Sequence, residues 1–286
     1  MRWQGRREST NVEDRRGRGP AMRTGAGIGC GGLLLVLVLA FATGQDPLAL
    51  LQVFQTTQVQ VPDSGPAIPG ESAPPSDELG RFASVVLADL EETWSTIFTQ
   101  AGVTYRPPTL VLYTGMVQSA CGTSSAATGP FYCPADERVY IDLSFFQELD
   151  RRFGAPGDFA QAYVIAHEVG HHVQNLLGIA EKVQTAQERA YSQREANQYS
   201  VAMELQADCL AGVWAHHAHR ERQLLEPGDV EEGLGAAAAI GDDRMQRRAT
   251  GTVQPESWTH GSSEQRVAWL RRGLQSGDPD ACETLR

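Results

Sequence analysis

The sequence predicts a mixed α+β fold, in which one mainly helical domain with a small β-sheet follows a transmembrane helix and a disordered linker. Three observations support this. Apolar residues recur at helical spacing through most of residues 144–275. Two short segments, 109–115 and 138–144, are rich in β-branched and aromatic residues, as strands are. Residues 25–43 carry no charged side chain.

The charge of the chain is unevenly distributed. Residues 1–24 contain seven Arg against Glu8, Glu13 and Asp14, a net charge of +4, and residues 25–43 contribute none. Because the whole chain carries −11, residues after 43 carry −15. A strongly acidic domain without clustered cations excludes nucleic acid as a partner, since phosphate binding needs Lys and Arg.

Residues 25–43 are predicted to cross a membrane, because 19 uncharged residues are about the length of a helix that spans the hydrocarbon core. The positive-inside rule makes residues 1–24 a basic cytoplasmic tail. The protein would then be single-pass, with its domain outside the cytoplasm, in the periplasm or on the cell surface. Alternatively, Ala40 and Ala42 mark a cleaved secretory signal, and that reading exports the domain as well.

The Pro- and Ser-rich residues 44–76 are predicted to be a linker that cannot form a core. The domain would cover residues 77–286, beginning with Asp77 as the N-cap of an amphipathic helix that continues to Phe98. The two strand segments follow and could pair as neighbours. Further helices are predicted near 144–152, 158–177, 180–219, 229–248 and 262–275.

Five cysteines are consistent with an exported protein. Cys30 lies in the predicted span, so the other four allow three pairings. A bond from Cys121 to Cys133 would close a short Gly-bearing loop, which leaves Cys209 to pair with Cys282. The alternative is four free thiols. A zinc site made of cysteines is not indicated, because the chain has no CxxC spacing.

The segment 162–174, AYVIAHEVGHHVQ, contains the HExxH pattern. His167 and His171 are four residues apart, so one helical turn places both rings on the same face, where they can bind one ion. Glu168 lies about 100° around the helix and can reach a water beside that ion as a general base. The alternative is a pair of structural histidines held by hydrogen bonds.

Two histidines leave a catalytic zinc one protein ligand short. The next long helix offers Glu204 and Asp208, again four residues apart on one face. Glu204 could bind the metal, while Asp208 could accept the free N–H of a ligand histidine. The alternative, a solvated acidic pair, is disfavoured by the apolar residues 210–214 beside them.

These motifs, HEVGHHVQ and ELQADCLAGVWA, together with the N-terminal MRWQGRRESTNVEDRRG and THGSSEQRVAWL near the end, resemble the putative neutral zinc metallopeptidase family of bacteria. The similarity covers nearly the whole chain. It implies a zincin-like domain that binds one Zn²⁺ through His167, His171 and Glu204 and uses Glu168 as the catalytic base. The resemblance supplies no particular substrate; the predicted hydrolysis itself calls for a peptide or protein.

The segment 257–270 is similar to a THP-then-Arg element of membrane-associated zinc peptidases related to the prenyl-protein and heat-shock proteases. That similarity implies that His260 stabilises the oxyanion and that Arg266 orients its neighbours, although Gly261 stands in the place of Pro. In the alternative, Thr259 or Ser262 caps the last helix and His260 lies in the preceding turn.

Two other functions compete with a membrane-anchored zinc endopeptidase. The chain could be a catalytically silent zinc-binding scaffold or interaction protein at the cell envelope, or its zinc could be structural. Glu168 argues against structural zinc, because a closed four-ligand site needs no base. Residues 138–144, if they form a sheet edge, could align an extended substrate. The sequence contains no signal for a particular oligomeric state.

Overall fold

Four short strands form the predicted sheet in the computed structural model, which describes residues 1–17 and 74–285. Their order is β1-β2-β6-β5. Strands β1, β2 and β6 are parallel, and β5 is antiparallel to β6. Strands β3 and β4 form a separate antiparallel pair. The strands are β1 (Val12–Asp14), β2 (Thr109–Tyr113), β3 (Met116–Ser119), β4 (Gly122–Ser125), β5 (Phe131–Cys133) and β6 (Arg138–Asp142).

The two predicted strands, β2 and β6, do pair as neighbours, with Val111 opposite Tyr140. The prediction that residues 138–144 form a sheet edge is wrong, because β6 lies between β2 and β5. The edge beside β6 is β5 instead. The short strands β1, β3, β4 and β5 were not predicted.

The helices account for most of the described chain, and the helix that carries the HExxH motif packs against β5 and β6. They are α1 (Glu78–Gln100), α2 (Ser144–Arg151), α3 (Asp158–Leu176), α4 (Ile179–Glu188), α5 (Gln193–Arg222), α6 (Asp229–Ala239), α7 (Asp242–Thr250) and α8 (Ser263–Ser276). The predicted helix 180–219 is two helices, because Ser192 caps a new one by accepting from the Glu195 N–H. The predicted helix 229–248 is likewise divided, between Ala239 and Asp242.

Helices α5 and α8 pack at very short range. A Cβ atom added to Gly273 on α8 would lie 1.9 Å from the Cys209 carbonyl oxygen on α5, so only glycine fits there. A Cβ atom on Gly212 would similarly meet the Leu270 carbonyl oxygen at 2.2 Å. This close approach places the C-terminal half of α8 beside the middle of α5.

The N-terminal residues belong to this domain, which corrects the predicted boundaries. Residues 1–17 form one unit with residues 74–285, whereas the sequence placed 1–24 in a separate tail and began the domain at 77. Strand β1 pairs with β2, and the Trp3 ring packs edge-on against Phe82 at 5.4 Å. Backbone pairing and apolar burial together explain why these basic residues do not remain outside the domain.

The predicted membrane span, 25–43, and the predicted linker up to residue 73 lie outside the described residues. Among the helices that the structure describes, none combines the length and the apolar character that a bilayer crossing requires. Two disulfides are present, Cys121–Cys133 and Cys209–Cys282, and both match the predicted pairs.

Candidate metal centre

Helices α3 and α5 bring the three predicted ligands together. His167 Nε2 lies 3.1 Å from one Glu204 carboxylate oxygen, and His171 Nε2 lies 3.4 Å from the other. The two imidazole rings are 4.8 Å apart and nearly perpendicular. All three side chains are mostly shielded, with Glu204 the most exposed at 19 %.

The geometry of these donors fits a zinc ion. Tetrahedral zinc with bonds of about 2.0–2.2 Å holds its donor atoms about 3.3–3.6 Å apart. The two histidine nitrogens lie 3.1 and 3.4 Å from the two different oxygens of Glu204, both close to that spacing. One donor atom from each of the three residues lies within 4.8 Å of the others. Two imidazoles and one carboxylate leave a fourth position free, as in catalytic rather than structural zinc sites.

A buried network holds the other ring nitrogen of His167. Its Nδ1 lies 2.9 Å from an Asp208 oxygen, as predicted for a carboxylate that supports a ligand histidine. Arg266 donates to both oxygens of Asp208, at 2.8 and 2.9 Å. Tyr163 donates its hydroxyl to the same carboxylate and accepts from Arg266 at 3.1 Å. All three network residues are at most 2 % exposed.

His171 is held differently, through an amide. Its Nδ1 lies 2.8 Å from Gln174 Oε1, and Gln174 is fully buried. His172, next in the chain, faces the sheet side of the helix. Its Nδ1 meets the Tyr132 hydroxyl of β5 at 3.0 Å, and its Nε2 donates to the Arg106 carbonyl at 2.6 Å. The edge strand is therefore attached to the helix that carries the HExxH motif.

Glu168 is 7 % exposed and lines a cavity of about 500 Å³ together with the three predicted ligands. It is not part of the group of side chains that converge on a common ion position. Burial raises the pKa of Glu168 above its ordinary value, which favours a carboxylate that accepts a proton readily.

The other charges of the site have strongly shifted pKa values. Although burial opposes it, the hydrogen bond and charge of Asp208 raise the pKa of His167 to about 10. Burial would raise the pKa of Asp208, yet the Arg266 charge lowers it to about 2. For Glu204, burial is likewise outweighed by the two histidines, which keep its pKa well below the usual range.

His260 lines the same cavity and is held by a residue far away in sequence. Asp242, at the start of α7, accepts the backbone N–H groups of Thr259, His260 and Gly261 at 2.7–3.0 Å. Its second oxygen lies 3.3 Å from His260 Nδ1. Ser262 does cap α8, accepting from the Gln265 N–H at 3.1 Å. Ser262 therefore caps α8 while His260, in the preceding turn, lines the cavity, so the two alternatives are compatible.

Sequence reasoning missed three residues that shape this site. Tyr163 precedes His167 by four positions and Gln174 follows His171 by three, so both occupy the ligand face of α3. That spacing could have revealed them. Asp242 carries no comparable signal, because its contact with His260 depends on how α7 packs against the turn before α8.

Comparisons with known proteins agree with these observations. The family model described as putative neutral zinc metallopeptidase matches residues 1–285. The uncharacterized protein YpfJ of Escherichia coli (strain K12) is 50 % identical over 292 residues, covering 100 % of this chain and 99 % of that protein. The uncharacterized protein Rv2575 of Mycobacterium tuberculosis (strain H37Rv) is 47 % identical over 191 residues, 63 % of each chain. No solved structure matches. The chain belongs to the putative neutral zinc metallopeptidase family.

Proposed function

We propose that this member of the family is a zinc-dependent endopeptidase whose single Zn²⁺ is held by His167, His171 and Glu204, with Glu168 as general base. One observation carries the proposal. The three donors converge at zinc-like spacing while a fourth, buried carboxylate stands beside them without joining them. A structural zinc site has no use for such a group.

Zinc bound at this centre would supply Lewis acidity and lower the pKa of a coordinated water. Glu168, whose own pKa is raised by burial, accepts a proton in this cavity and can return it to the leaving amine. Asp208 fixes the His167 tautomer, so that Nε2 faces the metal position. In this proposal His260 donates a hydrogen bond to the developing oxyanion, which is supported by its position in the cavity wall and by its contact with Asp242.

The cavity favours peptides with a large apolar side chain beside the scissile bond. One part of its wall is formed by apolar side chains of α2, α3, α7 and the loops near them, several of them only partly buried. They are Phe145, Phe153, Val164, Ile240 and Met245. Covering these groups with a substrate side chain would be favourable by about 25 cal/mol per Å² of apolar area.

The edge strand β5 can align an extended substrate by backbone pairing. Phe131 and Tyr132 of this strand line the cavity, and Tyr132 is bonded to the HExxH helix through His172. The role that the sequence suggested for residues 138–144 is thus better suited to β5.

The rival function is a zinc-binding scaffold without turnover. A scaffold requires neither a buried Glu168 nor the Asp242 bonds that hold His260 over the cavity. The buried Glu168 costs stability in a protein that only binds, because a buried carboxylate is expensive unless it is paired, and the Asp242 bonds orient a histidine for which a scaffold has no use. They favour an enzyme.

The direct test incubates the full-length chain with a diverse peptide library and identifies cleavage by mass spectrometry. A fragment beginning at residue 77 is unsuitable, since it would lack β1. We expect cleavage that stops on chelation and returns with added zinc, while the circular dichroism spectrum of the chelated protein stays folded. Folded, zinc-loaded protein that cleaves no peptide would favour the scaffold, and unfolding on chelation would favour structural zinc.

We further propose that the domain works outside the cytoplasm, attached to the membrane through residues 25–43. The two disulfides support an oxidising compartment. Because β1 pairs with β2, residues 1–17 must share that compartment, which is incompatible with a cytoplasmic tail. A single crossing by residues 25–43 would put β1 and β2 on opposite sides of the membrane, so in this proposal these residues attach the domain without a single pass through the bilayer. Cysteines introduced at the exposed Thr10 and Ser257 should both react with a membrane-impermeant maleimide on intact spheroplasts. Labelling at Ser257 alone would refute this arrangement.

A further inference from the structure

The two ligand histidines are supported by groups of different kinds. His167 has the carboxylate of Asp208, whereas His171 has only the neutral amide of Gln174, at 2.8 Å. A neutral amide attracts the ring N–H less strongly than a carboxylate does. The orientation of His171 must therefore depend on how firmly Gln174 itself is fixed.

Gln174 is fixed by two further hydrogen bonds. Its Nε2 donates one hydrogen to the Met203 carbonyl at 2.7 Å and the other to Gln206 Oε1 at 2.9 Å, both on α5. With both amide hydrogens committed, the oxygen has to face His171. The ring then donates from Nδ1, which leaves Nε2 toward Glu204 at 3.4 Å and free to bind metal.

The chain of bonds continues to the C-terminal segment. Gln206 Nε2 donates to the Cys282 carbonyl at 3.1 Å, and Cys282 is joined to Cys209 of α5 by a disulfide. Gln174, Cys209 and Cys282 are completely buried, and Gln206 is 5 % exposed. Every donor in the series His171, Gln174, Gln206 has an acceptor at the next step, so the direction of each bond determines that of the next.

We propose that Gln174 and Gln206 are positioning residues that orient His171 for zinc, and that the Cys209–Cys282 disulfide sets zinc affinity by holding the last acceptor of this chain in place. This inference rests on the proposed function only in requiring zinc at His171. Partners that orient a ligand histidine typically change metal affinity 10–100-fold when removed.

The test measures the zinc dissociation constant by competition with a chelator of known affinity, without any peptide substrate. Gln174→Ala should weaken zinc binding about 10–100-fold. Gln206→Ala should weaken it less, and Q174A/Q206A should be no weaker than Q174A, because Gln206 acts through Gln174. Gln187→Ala is the control. Gln187 joins α4 to α5 through a 2.8 Å hydrogen bond to Ser200 but does not contact the metal centre, so the zinc affinity of this variant should match that of the wild type.

A spectroscopic signature separates orientation from general loosening. In the zinc-loaded protein, the His171 Nδ1 proton should exchange with solvent faster in Q174A than in the wild type, as read by proton–nitrogen NMR, and Q187A should leave it unchanged. Wild-type affinity and unchanged exchange in Q174A would overturn the proposal, and so would additive losses in the double variant.

The disulfide has a matched control in the same chain. C209S/C282S should weaken zinc binding, by no more than Gln206→Ala does because the disulfide acts through Gln206, whereas C121S/C133S, which removes the disulfide of the β3–β5 region, should not. Equal zinc affinity in the two double variants would refute the role of the disulfide. If C209S/C282S does not fold, the zinc affinities of the glutamine variants test the chain of hydrogen bonds by themselves. If zinc binding follows these predictions but the protein cleaves no peptide, the proposed function is refuted and the positioning role of the glutamines stands.

Discussion

Replacing Arg266 by methionine should destabilise the zinc-free protein by about 3–5 kcal/mol. The guanidinium is 2 % exposed and Asp208 is completely buried, and the two are joined by bonds of 2.8 and 2.9 Å. Methionine fills a similar volume but carries no charge. The Asp208 carboxylate would then lose its bidentate partner and keep only its hydrogen bonds to His167 and Tyr163.

The magnitude follows from the charges involved. Two unit charges about 4 Å apart attract by about 4 kcal/mol at an effective dielectric constant of about 20, and the Tyr163 hydroxyl loses a donor that now lies at 3.1 Å. Arg266 keeps the pKa of Asp208 at about 2, so without it burial raises that pKa. A lowered carboxyl pKa contributes stability that is fully present above the unfolded value and is lost as pH falls through the folded value, so the loss in R266M should be larger at pH 8 than at pH 3.

Urea unfolding in the presence of a chelator, followed by tryptophan fluorescence, measures this loss. Arg271→Met is the control, an exposed arginine on the same helix, and it should change stability by less than about 0.5 kcal/mol. D208N/R266M should recover about 2 kcal/mol or more relative to the sum of the single variants. A loss below about 1 kcal/mol in R266M, or additive effects in the double variant, would refute the reasoning.

Three further predictions follow from other parts of the fold. Zinc binding at pH 8 should release at least about one proton, because the pKa of His167 is raised to about 10 in the zinc-free protein and a histidine that binds zinc is neutral. Calorimetry in two buffers of different ionisation enthalpy should reveal this proton release. A binding enthalpy that is the same in both buffers would contradict the prediction. Gly273→Ala should cost about 1–3 kcal/mol in thermal unfolding, since its Cβ would meet the Cys209 carbonyl; an unchanged midpoint would show that α8 can shift freely. Phe153→Ala should lower kcat/KM about tenfold for peptides with Phe beside the scissile bond, while peptides with Ala there change little; an equal loss for both would exclude a specificity role.

The ligand set could be predicted because its geometry is local. HExxH and the pair formed by Glu204 and Asp208 each lie on one helical face, where a spacing of four determines which side chains are neighbours. The structure accordingly places His167, His171 and Glu204 together. Helix periodicity, which needs only neighbouring residues, likewise predicted the positions of most helices.

The parts that could not be predicted depend on contacts between distant residues. Strand β1 is three residues long and pairs with a strand about a hundred positions later, so its basic sequence resembled a cytoplasmic tail. Asp242 reaches the turn at His260 only because α6 and α7 are separate helices. Gln206 reaches Cys282 only because the disulfide returns the chain to α5.

The most direct measurement of the central claim combines metal content and turnover in Glu168→Gln. This change preserves shape and removes only the ability to accept a proton, so zinc should stay bound at one ion per chain. Peptide hydrolysis should fall by about 10²–10⁴. Turnover within about tenfold of the wild type, or loss of zinc from the variant, would contradict the assignment of Glu168 as a base that stands beside the metal without binding it.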